Sequence, residues 1–318
     1  MLFHERKFPW LDVEMEEDAS ALSEQGLRRS MARRGLVVYF VFLVLFSALA
    51  NWFSAATGNT FGIFFLMWSP GVASIVTRLI LHEGWSDISF RLVPGSVAKM
   101  SRGRTTRFAI MMAVLVPFVV ALLAYGCAWI VGLAHLVPFQ PSENLSFCIA
   151  FLGGHLSWWM IALLLVAFLL AEVVSASGEE IGWRGYMLTR LIDADVPRPV
   201  VLSGLIWSFW HWPLLFLEAQ HLSMSIFLSA CIFVVTITCL GCVAARLRLQ
   251  TGSIWPSIVL HATWNICILE IFDAVTRNSD TSYWVGESGI LMALVMLGMA
   301  YIFWHNYQFA RPATEAAS

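Results

Sequence analysis

Three short groups of polar and ionisable residues interrupt the apolar stretches of this 318-residue chain. They are Glu179, Glu180 and Arg184, then His211, and then His261 and Asn265. Ionisable groups at membrane depth cost about 2.5 to 3.5 kcal/mol each on insertion scales, so they usually mark a functional site. Carboxylates, imidazoles and an amide spread over three apolar segments are the groups that an active site inside a bilayer would need.

The first group predicts two glutamates with different roles. On a helix, Glu180 and Arg184 share a face and can form an ion pair, whereas Glu179 points about 100° away. Arg184 would hold Glu180 ionised and fixed, which leaves Glu179 free to act as a general base. A second interpretation stays open, in which both acids cap a helix at the inner interface and Arg184 lies among the lipid headgroups.

The second group is a histidine inside a predicted helix over about 199–217. His211 lies about twelve residues into that helix, or roughly 18 Å along it, near the middle of a bilayer. Pro213 can kink the helix there and open space for water. Trp207, one turn earlier, shares the face of His211 and could support its ring. The alternative is a histidine that only forms a hydrogen bond between helices.

The third group places an imidazole and an amide one turn apart on the same helical face. His261 and Asn265 could both donate to a developing oxyanion, or could serve as polar contacts between membrane helices. Glu172, two turns before Glu179, can line the same cavity. Glu270 falls near the outer end of its helix and is predicted to be solvated.

The composition predicts a membrane protein. Hydrophobic residues make up 59% of the chain and charged residues 13%. In a soluble domain, about 45 to 50% of the residues are apolar and about 25% are charged. The net charge of −2 does not indicate a nucleic-acid partner. The six cysteines are predicted to be buried small hydrophobic residues. The sequence contains neither H-E-x-x-H nor G-x-S-x-G, which excludes the simplest zinc and serine protease motifs.

The fold class predicted from this pattern is all-α, a polytopic bundle of about eight transmembrane helices. The candidate spans are about 36–55, 60–82, 107–134, 156–178, 199–217, 224–245, 254–272 and 288–306. If the N-terminus is cytoplasmic, nearly all of the 19 Lys and Arg residues fall on the cytoplasmic side. The positive-inside rule therefore predicts that both termini are cytoplasmic.

The domain organisation follows from the same pattern. Residues 1–34 are predicted to be a loosely ordered, polar cytoplasmic tail, 35–306 the transmembrane domain with its chemical core at about 156–273, and 307–318 a second cytoplasmic tail. The first helix resembles a signal peptide, but its long n-region with a run of acids favours a retained anchor. The connection 83–106 either lies on the inner membrane surface or is a solvated basic loop.

The residues of the three groups also carry a family resemblance. E-E-x-x-x-R, a histidine on the next helix and H-x-x-x-N resemble the CPBP family, the CAAX-protease and bacteriocin-processing group of intramembrane peptidases. The segments SGEEIGWRGYMLTRL, SFWHWPLLF and GSIWPSIVLHATWN read like that family over roughly 170–272, with a looser similarity over 60–92. The second motif is usually F-x-x-x-H, and here Trp207 stands in place of the phenylalanine.

This resemblance implies an intramembrane endopeptidase whose site contains all six polar residues. Glu179 and His211 would activate a water that attacks a peptide carbonyl. His261 and Asn265 would stabilise the tetrahedral oxyanion. Glu180 and Arg184 would be the orienting pair. The implied partners are the lipid bilayer and a membrane-embedded or lipidated peptide substrate, and the implied location is a bacterial plasma membrane.

The resemblance leaves the cofactor open. Members have been described as metalloproteases and as metal-free glutamate peptidases. If zinc is bound, Glu180, His211 and His261 would be its ligands, with water as the fourth. If His261 instead pairs with Asn265 as a donor, a metal-free mechanism is favoured. The rival function is a non-enzymatic scaffold, a bacteriocin-immunity protein or a transporter that keeps the polar cluster for structure. The absence of inverted repeats disfavours a transporter.

One geometric condition decides whether the three groups can act together. The segment 156–192 is too long for one span, and counting from its outer end places Glu179 near the inner interface. His211 and His261 would lie at depths of about 18 and 10 Å. The groups meet only if the helix over 156–192 tilts or shifts inward. A Glu179 carboxylate much farther from His211 than one bridging water would exclude the mechanism.

Overall fold

A computed structural model of the protein describes residues 9–57, 61–90, 106–140, 146, 157–218, 224–277 and 281–305. These residues form a helical bundle with one minimal sheet, in which His135–Leu136 (β1) pairs antiparallel with Thr276–Arg277 (β2). The α-helices are α1 Pro9–Thr57, α2 Phe61–Leu81, α3 Thr106–Val131, α4 Trp158–Gly182, α5 Leu188–Asp193, α6 Pro199–Trp210, α7 Trp212–Glu218, α8 Ile226–Thr251, α9 Trp255–Asn265, α10 Thr281–Trp284 and α11 Ile290–His305.

The predicted all-α membrane bundle is confirmed. Each of the eight apolar segments overlaps an α-helix of the described chain. Within the described residues, six helical segments are long and apolar enough to cross a membrane, and α11 is a shorter apolar helix. The chain is thus an integral, multi-pass membrane protein, whereas the orientation with both termini cytoplasmic stays a prediction.

The N-terminal tail differs from the expectation of loose order. Helix α1 begins at Pro9 and continues without a break to Thr57. The sequence between these points is rich in Glu, Ala, Leu and Arg, which are good helix formers, and contains only two glycines and no further proline. Arg29 forms an ion pair of 3.0 Å with Asp195, so this helix also contacts the body of the bundle. The domain boundary at residue 34 stays a prediction.

The described part of the 83–106 connection is bound to the protein. Arg78 donates to both carboxylate oxygens of Asp87, at 2.7 and 2.9 Å. The backbone N–H of Ile254 donates to the carbonyl of Ser89 at 2.9 Å. The described residues up to 90 are therefore held against the bundle, although Trp85 and Phe90 are exposed. Residues 91–105 lie outside the described chain, and both interpretations stay predictions there.

The close packing of α2 against α4 positions the two glutamates. A Cβ added at Gly71 would lie 2.5 Å from the carbonyl oxygen of Gly178, and one added at Gly182 would lie 2.5 Å from the carbonyl carbon of Pro70. Helix backbones can approach this closely only where side chains are absent, as at the small-residue contacts of membrane helices. The C-terminal turn of α4, which carries the glutamates, is therefore held against the middle of α2.

We expect Gly182→Ala to destabilise the protein by about 1 to 3 kcal/mol, because the new methyl group clashes with the backbone of α2. The control is Gly126→Ala on α3, where an added Cβ meets no atom within 4 Å. That change should be neutral or stabilising by up to about 1 kcal/mol, because alanine is the better helix former. Denaturant unfolding in detergent measures both. Equal stabilities of the two variants would contradict the close contact.

Candidate active site

The glutamate motif lies where the helix changes its hydrogen-bonding pattern. Helix α4 continues directly into a π-helical turn, Trp183–Met187. Such turns widen the helix and frequently occur at functional sites. Glu179 and Glu180 occupy the last α-helical turn, and both are buried, together with Arg184. The predicted ion pair is present, with Arg184 Nη1 2.7 Å from Glu180 Oε1.

Glu180 connects this pair to the third motif. Its Oε1 atom also lies 3.0 Å from Nδ1 of His261. A carboxylate accepts and the ring nitrogen can donate, so Glu180 orients the imidazole. On the other side, the Arg184 guanidinium carbon lies 4.1 Å from the centroid of the Trp207 ring, which is a cation–π contact.

Glu179 is not the free carboxylate that the helical spacing predicted. Its Oε2 atom accepts two indole N–H groups, from Trp207 at 2.7 Å and from Trp183 at 3.2 Å. Two imidazoles face the same carboxylate. His211 Nε2 lies 3.9 Å from Oε2, and His261 Nε2 lies 3.8 Å from Oε1. These distances exceed a direct hydrogen bond, and a water beside the carboxylate can contact either ring.

His211 lies at a break between two helices. Helix α6 ends at Trp210 and α7 begins at Trp212, so the kink predicted from Pro213 is present. Nδ1 of His211 lies 3.0 Å from the carbonyl oxygen of Trp207. Because a carbonyl only accepts, Nδ1 carries the proton, and Nε2 presents a lone pair towards Glu179 in the neutral ring. The indole of Trp207 also meets the ring of His211 edge-on, at 5.7 Å between centroids.

Asn265 is anchored from an acidic residue of α4. Its Nδ2 atom donates to Oε2 of Glu172 at 3.0 Å, and an amide nitrogen carries two N–H donors. Glu172 was expected to line the cavity. It instead fixes the side chain of Asn265, which lines the cavity. The expectation that Glu270 is solvated is wrong for its Oε2 atom, which is buried.

These groups open into a cavity of about 220 Å³. Its lining residues are Met67, Glu179, Trp207, His211, Leu214, Leu215, Phe233, Ile237, Leu240, His261, Trp264, Asn265, Leu269 and Glu287. Most of the wall is therefore apolar, and its polar groups are mainly those of the three motifs.

Sequence reasoning missed Glu287. This residue lies between α10 and α11 and accepts a hydrogen bond of 2.7 Å from the indole of Trp264. Burial raises the pKa of the Glu287 carboxyl. In the sequence, an acid directly before an apolar helix looks like an ordinary interfacial residue, and no spacing pattern distinguishes it.

The side chains proposed as zinc ligands do not form a metal site. Oε1 of Glu180 already contacts Arg184 and Nδ1 of His261. Within the described residues, no group of three or more His, Cys, Asp or Glu side chains is arranged to hold a metal ion. The described cysteines, which exclude Cys148, are free.

The fold and the buried cluster together define a polytopic helical membrane protein with a carboxylate–imidazole centre inside the bundle. Residues 157–267, which contain the three motifs, match the family described as Type II CAAX prenyl endopeptidase Rce1-like. A curated protein of Methanococcus maripaludis, named CAAX prenyl protease 2, is 25% identical over 182 residues. The match covers 54% of this chain and 59% of that protein, so the chain spans under two thirds of the relative's length. Both comparisons support the resemblance of the 157–267 segment to the CPBP family of CAAX-type proteases.

Proposed function

We propose that the protein is an intramembrane endopeptidase that hydrolyses a peptide bond of a membrane-associated substrate. One observation carries this proposal: the buried carboxylate of Glu179 lies between Nε2 of His211 and Nε2 of His261, at 3.9 and 3.8 Å, in the wall of a cavity. A carboxylate base and two imidazoles around a space for one water are the groups that water activation requires.

In the proposed first step, a water in contact with the Glu179 carboxylate and with His211 attacks the carbonyl carbon of the scissile bond. Glu179 takes one proton from this water, while the lone pair on Nε2 of His211 accepts a hydrogen bond from the other and fixes the direction of attack. The water oxygen forms the new C–O bond, and the carbonyl π electrons move onto the carbonyl oxygen.

The resulting oxyanion and the leaving amine need donors. Nδ1 of His261 faces Glu180, its Nε2 lies 3.8 Å from Oε1 of Glu179, and the residue lines the cavity. A protonated ring can therefore donate to the oxyanion, as can the amide of Asn265. When the C–N bond breaks, the proton held by Glu179 passes to the leaving nitrogen. The products are a carboxylic acid and an amine, and Glu179 returns to its starting state.

The largely apolar cavity wall favours a substrate segment with apolar side chains or an attached lipid. The relative named CAAX prenyl protease 2 makes a prenylated peptide the first candidate to test. We also propose that the protein acts in a bacterial plasma membrane with both termini in the cytoplasm, and that residues 1–34 and 307–318 lie on that side.

The proposal is tested by comparing protein N-termini across the membrane proteome of a host that expresses the wild type or Glu179→Ala at equal levels. We expect a set of N-termini to be absent in the variant, because without the carboxylate no group takes the proton from water. The control is Glu24→Ala, at an exposed position of α1. Identical N-termini in wild type and Glu179→Ala would overturn the peptidase proposal and favour a scaffold or immunity function.

A further inference from the structure

Two indole N–H groups converge on a single oxygen of the catalytic carboxylate. Trp207 on α6 and Trp183 in the π-helical turn both donate to Oε2 of Glu179, at 2.7 and 3.2 Å. All three side chains are buried. Each oxygen of an ionised carboxylate has about two lone-pair sites. The two indoles therefore occupy the hydrogen-bonding capacity of Oε2.

We infer that Trp207 is a positioning residue that makes Oε1 of Glu179 the oxygen that takes the proton from water. This inference rests on the proposed function. Oε1 accepts no hydrogen bond from either indole, and it lies 3.8 Å from Nε2 of His261. A carboxylate held at one oxygen cannot rotate freely, so the geometry of the other oxygen is set before substrate arrives. Positioning of this kind lowers the barrier because no reorganisation is needed during the reaction.

Trp207 is placed to act on the whole cluster. Its carbonyl oxygen accepts a hydrogen bond of 3.0 Å from Nδ1 of His211. Its ring meets the ring of His261 edge-on, at 5.1 Å between centroids. The guanidinium of Arg184 lies over the indole ring, 4.1 Å from its centroid. A phenylalanine at this position could make the ring contacts but has no N–H to donate. The N–H bond to Glu179 thus separates Trp207 from an aromatic residue that only supports its neighbours.

The test replaces Trp207 with 3-benzothienylalanine, in which sulfur takes the place of the indole N–H while ring size and shape are kept. The ring contacts with Arg184 and both histidines remain, so only the hydrogen bond to Glu179 is lost. With a peptide substrate in proteoliposomes, we expect kcat to fall about tenfold to a hundredfold, the range for losing a hydrogen bond to a charged group. KM and the melting temperature should stay close to those of the wild type.

The matched control is Trp255→3-benzothienylalanine. Trp255 donates its indole N–H to the carbonyl of Phe90 at 2.9 Å, at the start of α9 and away from the cavity. This variant should keep the kcat of the wild type. Unchanged kcat in the Trp207 variant would overturn the inference. A fall in kcat matched by an equal loss of thermal stability would overturn it too, because the role would then be structural.

A second measurement uses Trp183, which donates to the same oxygen. If both indoles act through Oε2, their effects are coupled, and the double variant Trp183→Phe and Trp207→Phe should lower kcat by a factor that differs from the product of the single factors. Independent, multiplying effects would contradict a shared acceptor. Glu179→Gln separates the two proposals. If that variant is inactive and the Trp207 variants are fully active, only the positioning role fails. If it cleaves normally, Glu179 is not the base, and the proposed mechanism fails together with the positioning role. If neither the wild type nor any variant cleaves, the proposed function fails.

Discussion

Glu179→Gln is expected to lower kcat for peptide cleavage by about 10² to 10⁴-fold, the usual contribution of a general base. Glutamine has nearly the same size and its carbonyl oxygen can still accept the indole N–H groups of Trp183 and Trp207. It cannot take a proton from water. The loss should therefore appear in kcat, while KM for the peptide changes little. The measurement is steady-state cleavage of a substrate from the proteome comparison, with purified protein in lipid vesicles.

The matched control for this experiment is Glu83→Gln. The Glu83 carboxylate also accepts hydrogen bonds, with its Oε2 atom 2.8 Å from Arg190 Nη2, but it lies just after the end of α2. This variant should keep kcat within about twofold, because the carboxylate does not line the cavity. It should lose stability, because the ion pair with Arg190 is largely buried. Full activity of Glu179→Gln would show that another group takes the proton.

Arg184→Met is expected to cause the largest loss of stability in the cluster, about 3 to 5 kcal/mol. The side chains of Arg184 and Glu180 are both fully buried, and their ion pair of 2.7 Å is what makes a buried carboxylate tolerable. Removing the arginine leaves Glu180 without a countercharge, which costs more than the ion pair contributes. Denaturant unfolding in detergent, at a pH where exposed carboxylates are ionised, measures the change.

The double variant Glu180→Leu and Arg184→Met distinguishes stability from catalysis. Because both charges are removed, most of the lost stability should return. Activity should not return, since Nδ1 of His261 loses the carboxylate that orients the ring. Wild-type stability of Arg184→Met alone would show that the ion pair does not hold the cluster together. Wild-type activity of the double variant would show that Glu180 does not orient His261.

The sequence by itself determined the features that depend on short-range periodicity and on composition. The apolar segments predict the helices because a span needs about 20 apolar residues, and the described chain has a helix at each of them. The pair Glu180–Arg184 was predictable because residues four apart share a helical face. The break at His211 was predictable because Pro213 removes a backbone donor. The order of the three motifs also carried the family resemblance.

Only the tertiary structure decided which groups meet across helices. Trp207 lies 28 residues from Glu179 in the chain, so no local spacing shows that its indole N–H binds the carboxylate. Nor does local spacing show that Glu172 accepts a hydrogen bond from Asn265, which lies 93 residues away in the chain. It also does not show that Glu287, from a separate segment, lines the cavity. Helical periodicity gives the face of each residue but not the depth, tilt or rotation of one helix against another. Those are set by packing, here by glycines such as Gly182 that let α4 approach α2 and bring its glutamates to the histidines.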